Sequence, residues 1–198
     1  MQRAELRLDG ILGDRVVQAR NAQGRAITAR TRPALLGHHA TIGPDGEPLV
    51  DGRPWASDDV ARDVQRAAGR GAQLVRLDGP ERFDVLPLLV ATDGAVRRLG
   101  YDRRRLRPNI VVSGVEGLAE RQWEGLRFRA GEALIGIQDL RQRCVMTTFD
   151  PDTLEQDLEV LKRIHREFDG RLALNCYVIR GGTISLGDAV EFLTEPVV

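Results

Sequence analysis

Cys144 lies in the run Arg141-Gln142-Arg143-Cys144-Val145-Met146-Thr147-Thr148-Phe149-Asp150-Pro151. A thiol beside fixed positive charge is biased toward its thiolate, which is both a nucleophile and a ligand for soft metals. Free cysteine is also a common small core residue, so the surroundings must decide between the two readings. Cys176, the other cysteine, sits in the apolar run Leu172-Ala173-Leu174-Asn175-Cys176 without an adjacent arginine and reads as core. Two cysteines make no disulfide framework and cannot supply the four thiolates of an internal iron–sulfur cluster. Neither has zinc spacing with a histidine pair.

Three further segments are dense in arginine, glycine or small hydroxyls: Gly10-Ile11-Leu12-Gly13-Asp14-Arg15, Thr28-Ala29-Arg30-Thr31-Arg32-Pro33 and Arg105-Leu106-Arg107-Pro108-Asn109-Ile110-Val111-Val112. Arginine forks onto phosphate and carboxylate and never loses its charge. Lys162 is the only lysine, so most of the chain has no Schiff-base chemistry. Each segment also has a plain structural reading. Asp14-Arg15 can be a turn ion pair, Thr28–Arg32 a solvated loop, and Arg107-Pro108-Asn109 the start of a strand. His38 and His39 point apart if they lie in a strand, and His165 falls on a charged helix face. Glu120 and Trp123 read as packing residues.

The 198 residues suffice for one domain, or for a large and a small lobe. Net charge is zero, which leaves no broad electrostatic footprint for nucleic acid or an anionic membrane. No apolar run reaches membrane-spanning length and the start lacks a signal-peptide pattern, so a cytoplasmic protein is expected.

Residues 4–43 read as short strands, with a hairpin turn at Asn21–Gly24 joining Val16–Arg20 to Ala26–Arg30. Ser57 caps a helix whose stripe is Val60, Val64, Ala67 and Ala68, with Gly69 as its stop. A short strand follows over Leu74–Leu77. Residues 80–90 look irregular, and Thr92 then caps a short helix ending at Gly100. Ile110–Val112 and Phe128–Leu140 read as strands. Asp150-Pro151 predicts the start of a long helix to Phe168. Strands return over Ala173–Ile179 and Thr183–Leu193, broken at Gly187-Asp188. The class is mixed α/β and β-rich, a barrel or folded sheet with flanking helices rather than a doubly wound fold.

Taken in order, the four segments resemble the MOSC domain, the molybdenum cofactor sulfurase C-terminal family. Arg107-Pro108-Asn109-Ile110-Val111-Val112, then Arg143-Cys144 and Thr147-Thr148-Phe149-Asp150-Pro151, carry most of the likeness. Ala119-Glu120, Trp123 and Gly187-Asp188 with Val190 match as well, so the likeness extends over nearly the whole chain from Gly10. The resemblance implies a single MOSC-type β-barrel domain over residues 1–198. It also implies a molybdenum–pterin cofactor with Cys144 as the molybdenum ligand. In the amidoxime-reducing members, arginines matching Arg15 and Arg107 lie near that cofactor. Arg30, Arg32 and Arg143 are further candidate contacts to phosphate or pterin. Thr28, Asn109, Thr147 and Thr148 are candidate neutral hydrogen-bonding groups.

The activity so implied is that of a molybdenum-dependent oxidoreductase. It would reduce N-hydroxylated small molecules with electrons from a separate redox protein. The alternative is a non-catalytic carrier of sulfur or of the molybdenum cofactor, again using Cys144. Pyridoxal phosphate binding is a lesser association of the family. Larger members place a Pro-Val-Lys-Ser strand ahead of the Gly-Asp-Arg segment. The nine residues before Gly10 contain neither lysine nor serine. An arginine takes over that contact, or the start is shortened, or cofactor affinity is reduced.

Overall fold

The computed structural model describes residues 2–77 and 79–193. In chain order the first elements are β1 (Arg3–Arg7), β2 (Gly10–Ile11), β3 (Val17–Arg20), β4 (Ala40–Ile42), β5 (Pro48–Val50) and β6 (Arg53–Pro54). Then come α1 (Asp58–Ala68), β7 (Gln73–Arg76), β8 (Leu88–Thr92), α2 (Asp93–Leu99) and β9 (Ile110–Val112). The last are β10 (Arg127–Ala130), β11 (Ala133–Gln142), α3 (Leu158–Phe168), β12 (Arg171–Arg180), β13 (Gly182–Ser185) and β14 (Val190–Leu193).

These elements divide into two compact units. The first holds the described residues up to Leu12, then Asp84–Thr148, then those from Asp157 on. Its main sheet runs β14-β10-β11-β12-β8-β9 and curls into a half-barrel. Register shifts along the β11–β12 pair mark where these two strands bend. The pairing of β8 with β9 is parallel, with α2 in the crossover. A smaller sheet, β13-β1-β2, belongs to the same unit. Phe128, Ile135, Ile137, Leu174 and Cys176 lie in the main core, while α2 and α3 bury Leu99, Ile164 and Phe168 in a second cluster. The second unit is Gly13–Phe83 with Phe149–Gln156. It holds the β3–β7 pair, the β4-β5-β6 meander and α1, around Val60, Val64 and Ala68.

Two helices start and stop where their residues dictate. Ser57 accepts from the Val60 N–H, Asp58 and Asp59 face the positive end of α1, and Gly69 ends it. Thr92 accepts from the Ala95 N–H, and Gly100 closes α2 in the left-handed region. Gly131 is a position where only glycine fits. A Cβ there would stand 2.5 Å from the Asp188 carboxylate and 2.6 Å from the Thr183 carbonyl.

The third helix begins later than its sequence predicts, at Leu158 rather than Pro151. Asp150 does open a turn, since its Oδ1 accepts from the N–H groups of Asp152 and Thr153. Leu154 then takes a left-handed φ of 61°, and the chain reverses. The Asp150 N–H bonds to the Glu155 carbonyl, and Phe149 bridges Gln156. Asp157 caps the true helix by accepting from Glu159, while its own N–H reaches the Thr148 carbonyl. Asp157→Ala is therefore expected to destabilise the protein by about 1 kcal/mol, read as a fall of roughly 3 °C in the melting temperature.

Two strand assignments also change. The turn at Asn21–Gly24 forms, with Asn21 Oδ1 accepting from Gln23 and Arg25. Beyond one bridge, Arg20 to Ala26, the return strand does not develop; β3 pairs with β7 instead. Leu88–Thr92, within and beside a segment that reads as irregular, is an inner strand of the main sheet, and Leu88, Val90, Ala91 and Thr92 are buried. Pro87 and the Asp-Gly-Pro run before it hide a strand buried on both faces, which shows no alternation.

Glu120 is fully buried in the first unit. Its Oε2 accepts from the Thr92 hydroxyl at 3.1 Å and its Oε1 has no partner. Burial pushes its carboxyl above the ordinary glutamate value, against hydrogen bonds that lower it. At pH below the ordinary range the group is neutral in both states and carries no penalty. As pH rises through that range the unfolded chain releases its proton first, so folding loses stability until the buried carboxyl also ionises. Glu120→Gln removes this titration. The variant's melting temperature is expected to gain on the parent between pH 5 and pH 8, by about 3 °C. A constant difference across that range would contradict the assignment.

Candidate functional site

Cys144 is separated from the end of β11 by Arg143 alone and precedes a 3-10 turn, Val145–Thr148. Thr147 Oγ1 donates to the Cys144 carbonyl at 2.9 Å and Thr148 Oγ1 to the Val145 carbonyl at 2.7 Å. Both threonines are buried, so their hydroxyl protons close the turn that carries the cysteine. The Thr148 carbonyl accepts from Arg105 Nη1 at 2.8 Å and from the Asp157 N–H at 2.8 Å. The backbone under Cys144 is thus tied to two neighbouring segments.

The two cysteines differ as their contexts predict. Cys176 is sealed in the sheet core, where burial pushes its thiol up to about 12, with Asp139 adding to the shift. Cys144 is only partly buried.

Arg143 is 8% exposed. Its N–H donates to the Gly170 carbonyl and its Nη2 to the Leu106 carbonyl at 2.7 Å. Its Nε is buried without a partner. Burial, together with repulsion from Arg141 and Arg107 and against the opposite effect of Cys144, holds its pKa down to about 10. The group remains a cation near neutral pH. Arg107 ends the 3-10 turn Arg103–Leu106 with a φ of 55°. It is an exposed residue whose guanidinium is partly desolvated, which lowers its pKa; Cys144 again raises it. Neither Arg107 nor Arg143 makes a salt bridge among the described residues. Among the described residues, the positive charge of Arg107 and Arg143 near Cys144 is thus not paired with a carboxylate.

Asn109 serves the sheet: its Oδ1 accepts from the Leu89 N–H at 2.9 Å and its N–H donates to the Leu89 carbonyl. The remaining candidates lie in the second unit. Arg15 has a left-handed φ of 56°, pairs with Asp14 at 2.9 Å and stacks 4.8 Å from the Phe83 ring centre. Arg32 Nε caps α1 through the Ala68 carbonyl at 3.1 Å. Thr28 and Arg30 are exposed, and the Thr28 carbonyl holds the following turn. His38 bonds Asp51, and His165 is exposed on α3. Lys162 is exposed and paired with Glu159.

A set of residues that sequence reading missed lies in the first unit with Cys144. Asn175 is 6% exposed. Its Nδ2 donates to Asp139 Oδ1 at 2.6 Å, and its Oδ1 accepts from Arg141 Nη1 at 3.4 Å. Arg141 Nη2 also bonds Asp84 Oδ2 at 2.6 Å. One signal was available: a lone asparagine inside the apolar run of β12, which needs polar partners if buried. Among the described residues, no group of three or more His, Cys, Asp or Glu side chains is placed to hold a metal. No described helix is long and apolar enough to cross a membrane.

Comparison with known proteins gives the following. Mitochondrial amidoxime-reducing component 1 of Homo sapiens is 31% identical over 136 residues, 57% of this chain and 38% of that protein. Mitochondrial amidoxime reducing component 2 of Homo sapiens is 34% identical over 94 residues, 40% of this chain and 26% of the relative. The chain thus spans less than two fifths of the length of either relative. The molybdenum cofactor sulfurase of Bombyx mori is 29% identical over 84 residues, 42% of this chain and 10% of that protein. Among solved structures, the YuaD protein from Bacillus subtilis aligns over 97% of this chain and 85% of its own, with 16% identity and a TM-score of 0.45. The MOSC domain model matches residues 92–191, half of the chain, including β8's last residue, Arg107, Cys144 and Asp188. On that match the chain belongs to the MOSC domain family.

Proposed function

We propose that this chain binds a molybdenum–pterin cofactor and reduces N-hydroxylated small molecules, with Cys144 as the molybdenum ligand. The observation that carries the reading is the buried, unpartnered Nε of Arg143 beside a partly exposed cysteine. A buried donor without an acceptor is costly, and a buried cation without a counter-ion more so. An anionic, sulfur-rich group at this place removes both costs.

The residues present fit such a group. Arg143 and Arg107 supply charge-assisted donors for its anionic parts, and Cys144 Sγ supplies a soft ligand. Thr147 and Thr148 fix the direction of that sulfur by closing the turn beneath it. Asn109 keeps β9 in register behind Arg107. For the second unit by itself, Arg15 is proposed as an anion contact from the family resemblance, and Arg30, Arg32 and Thr28 from their residue types.

When bound, the cofactor supplies two-electron reduction of an N–O bond. Two electrons and two protons convert an amidoxime to an amidine and water. The similarity to the mitochondrial amidoxime-reducing components supports that substrate class. The electrons come from a separate redox protein.

The test is expression in a host that makes the cofactor. Stoichiometric molybdenum, pterin fluorescence after acid oxidation, and reduction of benzamidoxime by a chemical electron donor are expected. Folded protein free of molybdenum and inactive on benzamidoxime would refute the proposal.

A further inference from the structure

Arg141 is held more firmly than a surface arginine ordinarily is. Its guanidinium rests on Asn175, a buried side chain of β12 that stands directly across from Asp139 in the β11–β12 pairing. A buried amide is tolerated only when its polar atoms are bonded. Here the amide nitrogen is taken by Asp139 and the carbonyl oxygen faces Arg141. The support is rigid sheet on both sides, the kind of base that fixes a recognition group.

What Arg141 holds is not rigid in the same way. Its partner Asp84 lies on the connection before β8, outside any strand or helix, and its side chain is 59% exposed against 20% for Arg141. An ion pair of this kind contributes only about 0–1 kcal/mol, so a carboxylate on a ligand can take the place of Asp84 at little cost. Arg141 lies near the end of β11, on the stretch of chain that leads through Arg143 to Cys144; the arginine therefore belongs to the charged surroundings of the cysteine.

We propose that Arg141, seated on Asn175, is a carboxylate-recognition point for the substrate, and that Asp84 occupies it until an anionic substrate displaces it. The substrate class is narrowed to N-hydroxylated compounds that carry a carboxylate. The inference rests on the reductase reading given above.

The experiment measures benzoate and benzamide binding to the purified holoprotein by ligand-observed NMR. The expected result is benzoate binding without benzamide binding. Benzoate should bind about five-fold tighter to Asp84→Asn and at least about ten-fold weaker to Arg141→Gln. Unchanged benzoate affinity in Asp84→Asn, an exposed change that leaves the fold alone, would overturn the proposal. So would benzoate binding undiminished in Arg141→Gln, or absent throughout. In parallel, kcat/KM for 4-carboxybenzamidoxime over benzamidoxime should exceed one, rise in Asp84→Asn and fall in Arg141→Gln. Turnover of both compounds without a carboxylate preference refutes the subsite and leaves the reductase reading standing. No turnover of either, with Arg141-dependent benzoate binding intact, refutes the reductase reading and leaves the anion site standing.

Discussion

Cys144→Ser lowers benzamidoxime reduction by more than about a hundred-fold and leaves the melting temperature nearly unchanged. The first half follows from the ligand role. Changing a residue that merely supports a metal ligand costs about 10–100-fold, so replacing the ligand itself costs more, and a hydroxyl is a hard substitute for a soft sulfur. The second half follows from how the turn is built. It is closed by Thr147 and Thr148, by Arg105 on the Thr148 carbonyl and by the Asp157 N–H, all acting through groups other than the sulfur. Steady-state kinetics with molybdenum content measured on the same sample separate loss of chemistry from loss of metal. A serine variant with half the parent activity would remove Cys144 from the chemistry.

Arg143→Gln is expected to reduce cofactor retention about 10–100-fold, the worth of the charge-assisted bonds it would forfeit. The side chain has two jobs that the variant separates. Its Nη2 bond to the Leu106 carbonyl supports the fold, whereas its Nε has no protein partner. Protein made without cofactor should keep its melting temperature, because relief from burying a cation among Arg141 and Arg107 offsets the lost backbone bond. Protein made with cofactor should lose the stabilisation that binding gives the parent. Arg143→Lys should not rescue retention, since a point charge cannot fork. An equal loss of stability in both preparations, with molybdenum content intact, would instead mark Arg143 as purely structural.

Legibility in the sequence tracked how local each feature is. The caps at Ser57 and Thr92 and the stops at Gly69 and Gly100 act within one turn, and they read correctly. Asp150-Pro151 misled because its capping signal is real but is cut short by the left-handed Leu154, which only the bridge from Phe149 to Gln156 explains. The partner of β3 could not be read, because β7 lies some fifty residues on and the nearer Ala26–Arg30 offers the same pattern. At the site, the cysteine and its arginines were visible as residue types. The Asp139–Asn175–Arg141 chain was not, because it is assembled across two strands by register. The unpartnered Nε of Arg143 likewise exists only once the chain is folded.

The pairing of β1 with β13 sets the order in which the molecule can be made. Arg3, Ala4, Glu5 and Leu6 lie against Ser185, Ile184, Thr183 and Gly182, so β1 finds its longer partner only across almost every other element of the fold. Leu6, a buried member of the main core, is not paired on this side until β13 has arrived. Closing so long a loop is slow and adds to the contact order. Assembly of the first unit is therefore expected on the millisecond-to-second scale of non-local β proteins.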